Sequence, residues 1–389
     1  MLTLATVAAD DESLRWCRAA ALRAGASIVV AIDARDGAGL AERAAALRAR
    51  DPHGVLVVAR DSRDEHALAA VLEAARVAFA GAENGPRVIA AAHADVLAEI
   101  REAAAGMPFD RVGAPSADGG AALVRRLRAL RGGAAEAVAR VERAVARTGS
   151  EEVLACEVDD DGVRAAVSAR GEVIGAELAV GVGRSADALA RRAGARAVRR
   201  WLVGDAVPEL ALLRDRIANL SRFAVDAPPA LEVALAREAV RELAVAMRRD
   251  LAPAALDRSR VVLLGGAFGR FTPADAVAAF LDAIEPRGLA RVHAGDVEAA
   301  LVVVPRNEDR GRPFRVVDER GERELHATAG AIGVVPTVGR TIVHVGRDDV
   351  VAGSPVLGVV IDGRGRPLAI PERDAERQAL LRKWAGAWR

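Results

Sequence analysis

The sequence predicts an α/β protein with a doubly wound N-terminal region, a second α/β region and a small C-terminal all-β domain. Three observations support this fold class. Short apolar runs alternate with helical patterns in the first third, hairpin-like strands precede long helices in the middle, and short strands with glycine-rich turns follow. The predicted regions are 1–148, 149–301 and 302–370, with a terminal helix at 371–389.

The N-terminal region contains apolar runs that are continuous rather than alternating, as expected of parallel strands buried on both faces. These runs lie at 2–7, 27–32, 54–59 and 87–91. Helical patterns separate or follow them at 11–23, 40–50, 65–79 and 94–105. Strand–helix alternation of this kind predicts a parallel sheet with helices on both faces.

The middle region begins with three short strands joined by tight turns, and the Asp160-Asp161-Gly162 turn is a strong hairpin signal. The strands are predicted at 152–159, 163–169 and 172–180, and helices at 185–193, 208–223 and 230–251. A further strand at 260–264 runs directly into paired glycines. The next helix is predicted to begin at Pro273, with Thr272 as its N-cap.

The region after residue 302 reads as strands with glycine-rich turns, and we expect a small barrel or sandwich. Its strands are predicted at 314–318, 323–327, 330–335, 341–345 and 356–361. The edges of such a sheet are either an assembly surface or the sides of a plain appended domain.

Composition excludes several classes of function. The 55 Lys and Arg against 54 Asp and Glu leave a charge of +1, so no nucleic acid or acidic membrane partner is indicated. The only lysine is Lys383, which excludes a P-loop and a Schiff-base enzyme. No Gly-x-Ser-x-Gly elbow is present to position a serine nucleophile. The histidines show no metal-ligand spacing; they are His53, His66, His93, His293, His326 and His344.

Cysteine usage and hydropathy bear on the compartment. Cys17 and Cys156 are far apart in sequence, which fits a reducing environment better than a disulfide framework. No apolar run approaches the roughly 20 residues of a membrane span, and the N-terminus lacks the pattern of a signal peptide. We therefore expect a soluble cytoplasmic protein.

The strongest candidate site is the end of the strand at 260–264, where Gly265, Gly266 and Ala267 follow. Ligands of open α/β sheets bind at the carboxyl ends of strands, and glycine lets a ligand approach the backbone closely. The alternative is a tight strand-to-helix turn without a ligand.

Two further segments are candidates. The carboxylates of Asp159 and Asp161 could hold Mg²⁺, although a solvated hairpin tip explains them as well. Gly181 and Gly183 precede a predicted helix and could present N–H groups to a phosphate, or form an ordinary capped turn.

Several stretches resemble the glutamate mutase L family, MutL-type proteins encoded beside adenosylcobalamin-dependent mutases. They lie at 18–27, 86–92, 219–249, 261–284 and 358–368. The resemblance implies a ribonuclease-H-like fold of the actin/Hsp70 type in the second region. It also implies ATP or ADP with Mg²⁺ as a cofactor, and a cobalamin-dependent mutase as the protein partner.

The phosphate loops of that family are altered here. The first, of the type Asp-Ile-Gly-Ser-Thr, has no counterpart before Leu2. The second, of the type Asp-Val-Gly-Gly-Ala-Thr-Thr-Asp, falls at 157–162, where acidic side chains would repel phosphate. A Gly-Gly-Thr-Asp-Gly-Gly run falls at 59–64 without glycine.

We therefore expect a degenerate member, a pseudo-ATPase without catalytic residues that acts as an accessory or scaffold by protein contact. One alternative is a weak Mg²⁺-dependent ATPase or reactivation chaperone that uses Asp159 or Asp161. Another is a small-ligand-binding protein whose pocket lies at the carboxyl ends of the strands at 27–32 and 54–59.

Overall fold

The computed structural model describes most of the chain and divides it into two compact units. The described residues are 2–59, 64–80, 82, 85–112, 119–131, 135–149, 152–169, 171–204, 207–223, 227–251, 253–257, 259–295, 297–304, 313–353 and 355–388. The first unit comprises Met1–Val138 and Ala176–Leu178, and the second comprises Ala139–Gly175 and Ala179–Arg389. Within the described part of the chain, no helix is long and apolar enough to cross a membrane.

The first unit contains a five-stranded sheet, and every strand pairing in it is parallel. Its strands are β1 (Thr3–Ala8), β2 (Ser27–Asp33), β3 (Gly54–Ala59), β4 (Arg87–Ala92) and β5 (Phe109–Val112). Its helices are α1 (Asp11–Ala24), α2 (Leu40–Arg50), α3 (Glu65–Ala78), α4 (Ala94–Ala103) and α5 (Gly119–Arg131). The strand order is β2-β1-β3-β4-β5.

Alternate side chains of these strands enter two separate cores. Val55 and Val57 of β3 face α2, α3 and α4, whereas Leu56 and Val58 face α1 and α5. Helices therefore cover both faces of the sheet, and the predicted doubly wound region is confirmed. The strand order reverses between β1 and β3, where such sheets bind ligands. Residues 60–63, which directly follow β3, lie outside the described residues.

Local signals fix the helix ends. The Asp10 side chain accepts a hydrogen bond from the Ser13 N–H at 2.7 Å and begins α1. Gly25 ends the helix at φ 66°, in the left-handed conformation that glycine favours. In the second unit, Thr272 accepts from the Asp275 N–H at 3.1 Å. The predicted Thr272 N-cap is confirmed.

The second unit contains two sheets. Their strands are β6 (Val153–Val158), β7 (Val163–Ala169), β8 (Glu172–Leu178), β9 (Val261–Gly266), β10 (Gly288–Ala294), β11 (Val297–Val303), β12 (Phe314–Asp318), β13 (Gly321–Leu325), β14 (Ile332–Val335), β15 (Thr341–Val345), β16 (Asp348–Ala352) and β17 (Val359–Asp362). The unit division falls inside β8, and also inside the helix that precedes β6.

The remaining helices precede β6, connect strands of the second unit or follow β17. They are α6 (Ala135–Thr148), α7 (Ala186–Ala193), α8 (Ala195–Arg199), α9 (Leu210–Arg222), α10 (Pro229–Asp250), α11 (Pro253–Asp257), α12 (Pro273–Ile284) and α13 (Asp374–Gly386). A short 3₁₀ helix, Ala267–Arg270, directly follows β9.

The larger sheet has the order β14-β17-β11-β10-β9-β6-β7-β8. β6 pairs antiparallel with β7 and parallel with β9, which in turn pairs parallel with β10. The part β8-β7-β6-β9-β10 of this order agrees with the mixed sheet of a ribonuclease-H-like fold, which the family resemblance implies. Helix α6 packs on this sheet through Val141 and Val145, and α10 packs against β6 and β7.

The smaller sheet is antiparallel and has the order β13-β12-β15-β16. Phe314 and Val343 of this sheet share a core with Val302 and Val359 of the larger sheet. Two strands predicted for the all-β domain, β14 and β17, instead extend the larger sheet. All four residues of β17 are buried, which suits a strand inside a sheet rather than an edge.

A buried ion-pair cluster joins β17 to α12. Asp362 accepts hydrogen bonds from Arg364 at 2.7 and 2.9 Å and from Arg366, and Arg364 also donates to Asp282 at 2.6 Å. Burial alone would raise the pKa of Asp362. The hydrogen bonds and charges of Arg364 and Arg366 outweigh burial and hold that pKa below its ordinary value.

Replacing Asp362 with Ala is expected to lower the free energy of unfolding by about 3–5 kcal/mol, because two buried guanidinium groups lose a carboxylate. Urea unfolding followed by tryptophan fluorescence measures this. The matched control is Asp349→Ala, at an exposed carboxylate of β16, with an expected change within about 0.5 kcal/mol. Equal effects of the two substitutions would contradict a structural role for the cluster.

The lowered pKa of Asp362 predicts that the folded protein loses stability in acid. The pKa of this carboxyl in the folded protein is below the roughly 3.9 of an unfolded aspartate. The stabilisation by Asp362 is therefore complete above about pH 4–5 and is lost as the pH falls through the folded value. The difference in unfolding free energy between the natural chain and Asp362→Asn should stay constant down to that range and shrink below it. A difference that grows on acidification would contradict a lowered pKa of Asp362 in the folded protein.

Candidate functional site

The Gly-Gly segment and the acidic turn lie side by side, at the carboxyl ends of β9 and β6. In the register of these strands, Glu157 pairs with Gly265 and Val158 with Gly266. Gly266 has φ 65°, and a Cβ atom there would lie 2.2 Å from the Val158 carbonyl oxygen. Only glycine fits this position. Ala267 is buried at the start of the 3₁₀ helix.

The segment between β8 and α7 is hydrogen-bonded to the acidic turn. The Val182 N–H donates to the Asp159 carbonyl at 3.1 Å. The N–H groups of Gly183 and Ser185 both donate to the Asp160 carbonyl, at 3.1 and 3.0 Å. Three N–H groups of the segment predicted to bind phosphate are therefore occupied within the chain.

Both glycines of this segment are required by close packing. A Cβ atom on Gly181 would lie 2.2 Å from the Asp159 carbonyl oxygen, and one on Gly183 would lie 2.9 Å from the Asp160 Cβ. Larger residues would push the acidic turn away. The structure thus brings all three predicted site segments together.

Arginine side chains face the carboxylates predicted to hold Mg²⁺. Arg164, which is 5% exposed, donates to Asp159 at 2.6 Å and to Asp161 at 3.5 Å. Arg184 also lies 3.4 Å from Asp161. Because each of these carboxylates already has a cationic partner, a metal ion at this turn would have to displace the Arg164 guanidinium.

The third carboxylate of the turn, Asp160, has a weaker cationic neighbour. Its Oδ1 atom lies 3.8 Å from the Arg270 guanidinium. Arg270 belongs to the 3₁₀ helix and is held by an ion pair with Glu232 of α10. The charge of the turn is thus also linked to the segment that follows Gly265 and Gly266.

Glu157, which is not among the site residues predicted from sequence, also belongs to this site. Arg140 donates to Glu157 at 3.1 Å and lies 3.7 Å from Asp159. Burial raises the pKa of the Glu157 carboxyl and the charge of Asp159 acts in the same direction, whereas Arg140 opposes the shift. The signal in the sequence is the spacing of two, which places Glu157 and Asp159 on one side of the strand end.

The groups present offer little covalent chemistry. Burial and the neighbouring Glu157 charge raise the pKa of the Cys156 thiol to about 12, so it stays protonated near neutral pH and is a poor nucleophile. Among the described residues, no group of three or more His, Cys, Asp or Glu side chains is arranged to hold a metal ion. The Mg²⁺ assignment to Asp159 and Asp161 stays a prediction.

The two adjacent glycines of β9 provide a matched pair of substitutions. Gly266→Ala should lower the free energy of unfolding by about 1–3 kcal/mol, because its φ and the Val158 carbonyl oppose a side chain. Gly265→Ala meets only Glu157 side-chain atoms at 3.6 Å and should be neutral, or stabilising by about 0.4–1 kcal/mol. Urea unfolding compares them, and equal effects would contradict the described contact between β9 and β6.

Comparison of the chain with known protein families, curated proteins and solved structures finds no match. The family resemblance stated above therefore stays a hypothesis. A functional proposal for this chain depends on the geometry of the acidic turn and of the glycines around it.

Proposed function

We propose that the protein is a degenerate, glutamate mutase L-like accessory protein that acts by contact with another protein rather than by catalysis. The observation that carries this proposal is the internal use of the site's polar groups. Three N–H groups donate to carbonyls of the acidic turn, and its carboxylates face arginines.

A phosphate site needs free donors and no competing negative charge. At this turn, the side chains of Asp159, Asp160 and Asp161 carry the same sign of charge as phosphate. The arginines that could attract an anion are themselves paired with carboxylates, and Arg164 is shared between two of them. Both features favour a lost phosphate site over a working one.

The position of Gly265 and Gly266 at a strand end supports a scaffold like that of an ATPase. Gly265 and Gly266 still end a strand that lies beside the hairpin, in the order expected of an actin/Hsp70-type half domain. Fold resemblance by itself does not establish activity. What supports a cobalamin-dependent mutase as the partner is the resemblance of the sequence to the glutamate mutase L family.

A second candidate function is a weak Mg²⁺-dependent ATPase or reactivation chaperone. The observation that favours it is the closeness of the Glu157 and Asp159 carboxylates, next to Gly265 on the neighbouring strand. Two carboxylates at a strand end suit a divalent cation, and Mg²⁺ would relieve their repulsion if Arg140 moved away. This candidate requires the cation to compete with Arg140 and Arg164.

The two candidates differ in a calorimetric titration of the full chain with ATP and ADP, with and without Mg²⁺. The accessory role predicts no binding at nucleotide concentrations up to about 1 mM, the upper end of usual KM values. The ATPase predicts Mg²⁺-dependent binding and hydrolysis that Asp159→Asn abolishes. Unchanged thermal unfolding of Asp159→Asn would show that the fold of the variant is intact. Mg²⁺-dependent binding and hydrolysis that this intact variant loses would overturn the accessory role.

The partner is tested by co-sedimentation with a purified adenosylcobalamin-dependent mutase. A complex that forms equally with and without ATP is the expected result for a pseudo-ATPase. Absence of a complex under both conditions would remove the mutase from the proposal. A complex that forms only with ATP would instead favour the reactivation chaperone.

A further inference from the structure

Three of the four tryptophans, Trp201, Trp384 and Trp388, line one cavity of the second unit. Its volume is about 280 Å³, close to the lower end of the roughly 300–1,000 Å³ typical of small-molecule sites. Residues of α10, α12 and α13 form much of its wall. The cavity shares no residue with the acidic turn or with the Gly-Gly segment.

Arg237 of α10 is the polar group on which the inference rests. It is 9% exposed, lines the cavity and lies 3.3 Å from Asp282. The 3.3 Å contact is made by its Nε atom, which is buried and forms this ion pair but no hydrogen bond. Burial lowers the pKa of Arg237, so its charge is poorly solvated. A buried guanidinium of this kind favours an additional acceptor.

The charges behind the cavity are unequal. Arg237, Arg364 and Arg366 supply three positive charges, whereas Asp282 and Asp362 supply two negative ones. One positive charge is therefore in excess in this buried cluster. Two more carboxylates act on Arg237: Glu238, which is paired with Arg200 at 2.7 Å, and Asp275, which is exposed and also lines the cavity. Because solvent screens the exposed Asp275, the buried part of the wall favours an anion over a cation.

The tryptophans make much of the wall apolar. The Arg237 guanidinium lies 5.0 Å from the centre of the Trp201 ring, and Arg364 lies 4.6 Å from that of Trp384. The indole N–H of Trp201 donates to Glu238 at 2.9 Å, and that of Trp384 donates to the Gly330 carbonyl. Because both N–H groups are occupied, these rings offer a ligand mainly apolar surface.

We propose that this cavity binds a small monocarboxylate with an apolar body. The planar guanidinium of Arg237 suits the two oxygens of a carboxylate, and the body fits between the tryptophan rings and the aliphatic wall. A phosphate dianion fits less well, because its charge exceeds the single excess positive charge. This inference is independent of the proposed function.

The test is calorimetric titration of the full chain with phenylacetate, isovalerate and indole-3-acetate. Phenylacetamide serves as the neutral control and inorganic phosphate as the alternative anion. At least one carboxylate should bind with a Kd below about 1 mM. Phenylacetamide should bind about tenfold more weakly than phenylacetate or worse, because it lacks the charge that Arg237 attracts.

Two substitutions locate the binding. Arg237→Met should weaken carboxylate binding about tenfold or more, whereas Arg241→Met, at a half-buried arginine of the same helix, should not. Ala230→Phe narrows the cavity from an exposed position and should also abolish binding. It keeps the test informative if the Arg237 variant does not fold.

Three results would overturn the proposal. No saturable binding by any of the three carboxylates would remove the ligand class. Equal affinity for phenylacetate and phenylacetamide would show that Arg237 does not select charge. Inorganic phosphate that competes with phenylacetate at equal concentration would show that the site selects anions without regard to an apolar body.

Discussion

The buried carboxylate of Asp362 organises much of the second unit. It binds two guanidinium groups, and one of these, Arg364, also binds Asp282 of α12. Arg237 of α10 faces the same Asp282. Since a buried charge without its partner is strongly destabilising, the strand and both helices must reach their positions together. Arg237, Asp282 and Arg364 of this cluster also line the cavity that contains the tryptophans.

Arginine supplies almost every cation in these networks, and its geometry explains why. A guanidinium presents several donors in one plane, so Arg364 can bind Asp362 with two nitrogens and Asp282 with a third. Arg164 uses the same geometry to contact two carboxylates of the acidic turn. One side-chain type therefore stabilises a core in one place and neutralises the acidic turn in another.

Much of the fold can be predicted from sequence, because the apolar runs of β1, β3 and β4 and the Asp-Gly hairpin turn are local signals. The strands β10 and β11 were missed, since charged residues interrupt their apolar patterns. Arg291 and His293 on one strand each lie 3.7 Å from Glu298 on the other. These contacts between polar side chains become visible only when the two strands are paired.

The site shows the same division between local and long-range information. The glycines at 181, 183, 265 and 266 and the acidic turn are readable in the sequence, and the structure brings them together. The arginines that occupy the turn were not predicted. Arg140 and Arg184 are 17 and 23 residues from the carboxylates they contact, so folding alone sets these pairs.

The position of β17 limits how the chain can be divided. It lies between β14 and β11, and its partner β11 leads through β10 to β9 beside the candidate site. A fragment that ended before β12 would leave one long side of β11 with unpaired N–H and carbonyl groups. Such an edge recruits strands from other molecules. By pairing with β11, β17 covers an edge that would otherwise be open to self-association. Any shortened version of this protein therefore needs another way to cover that edge.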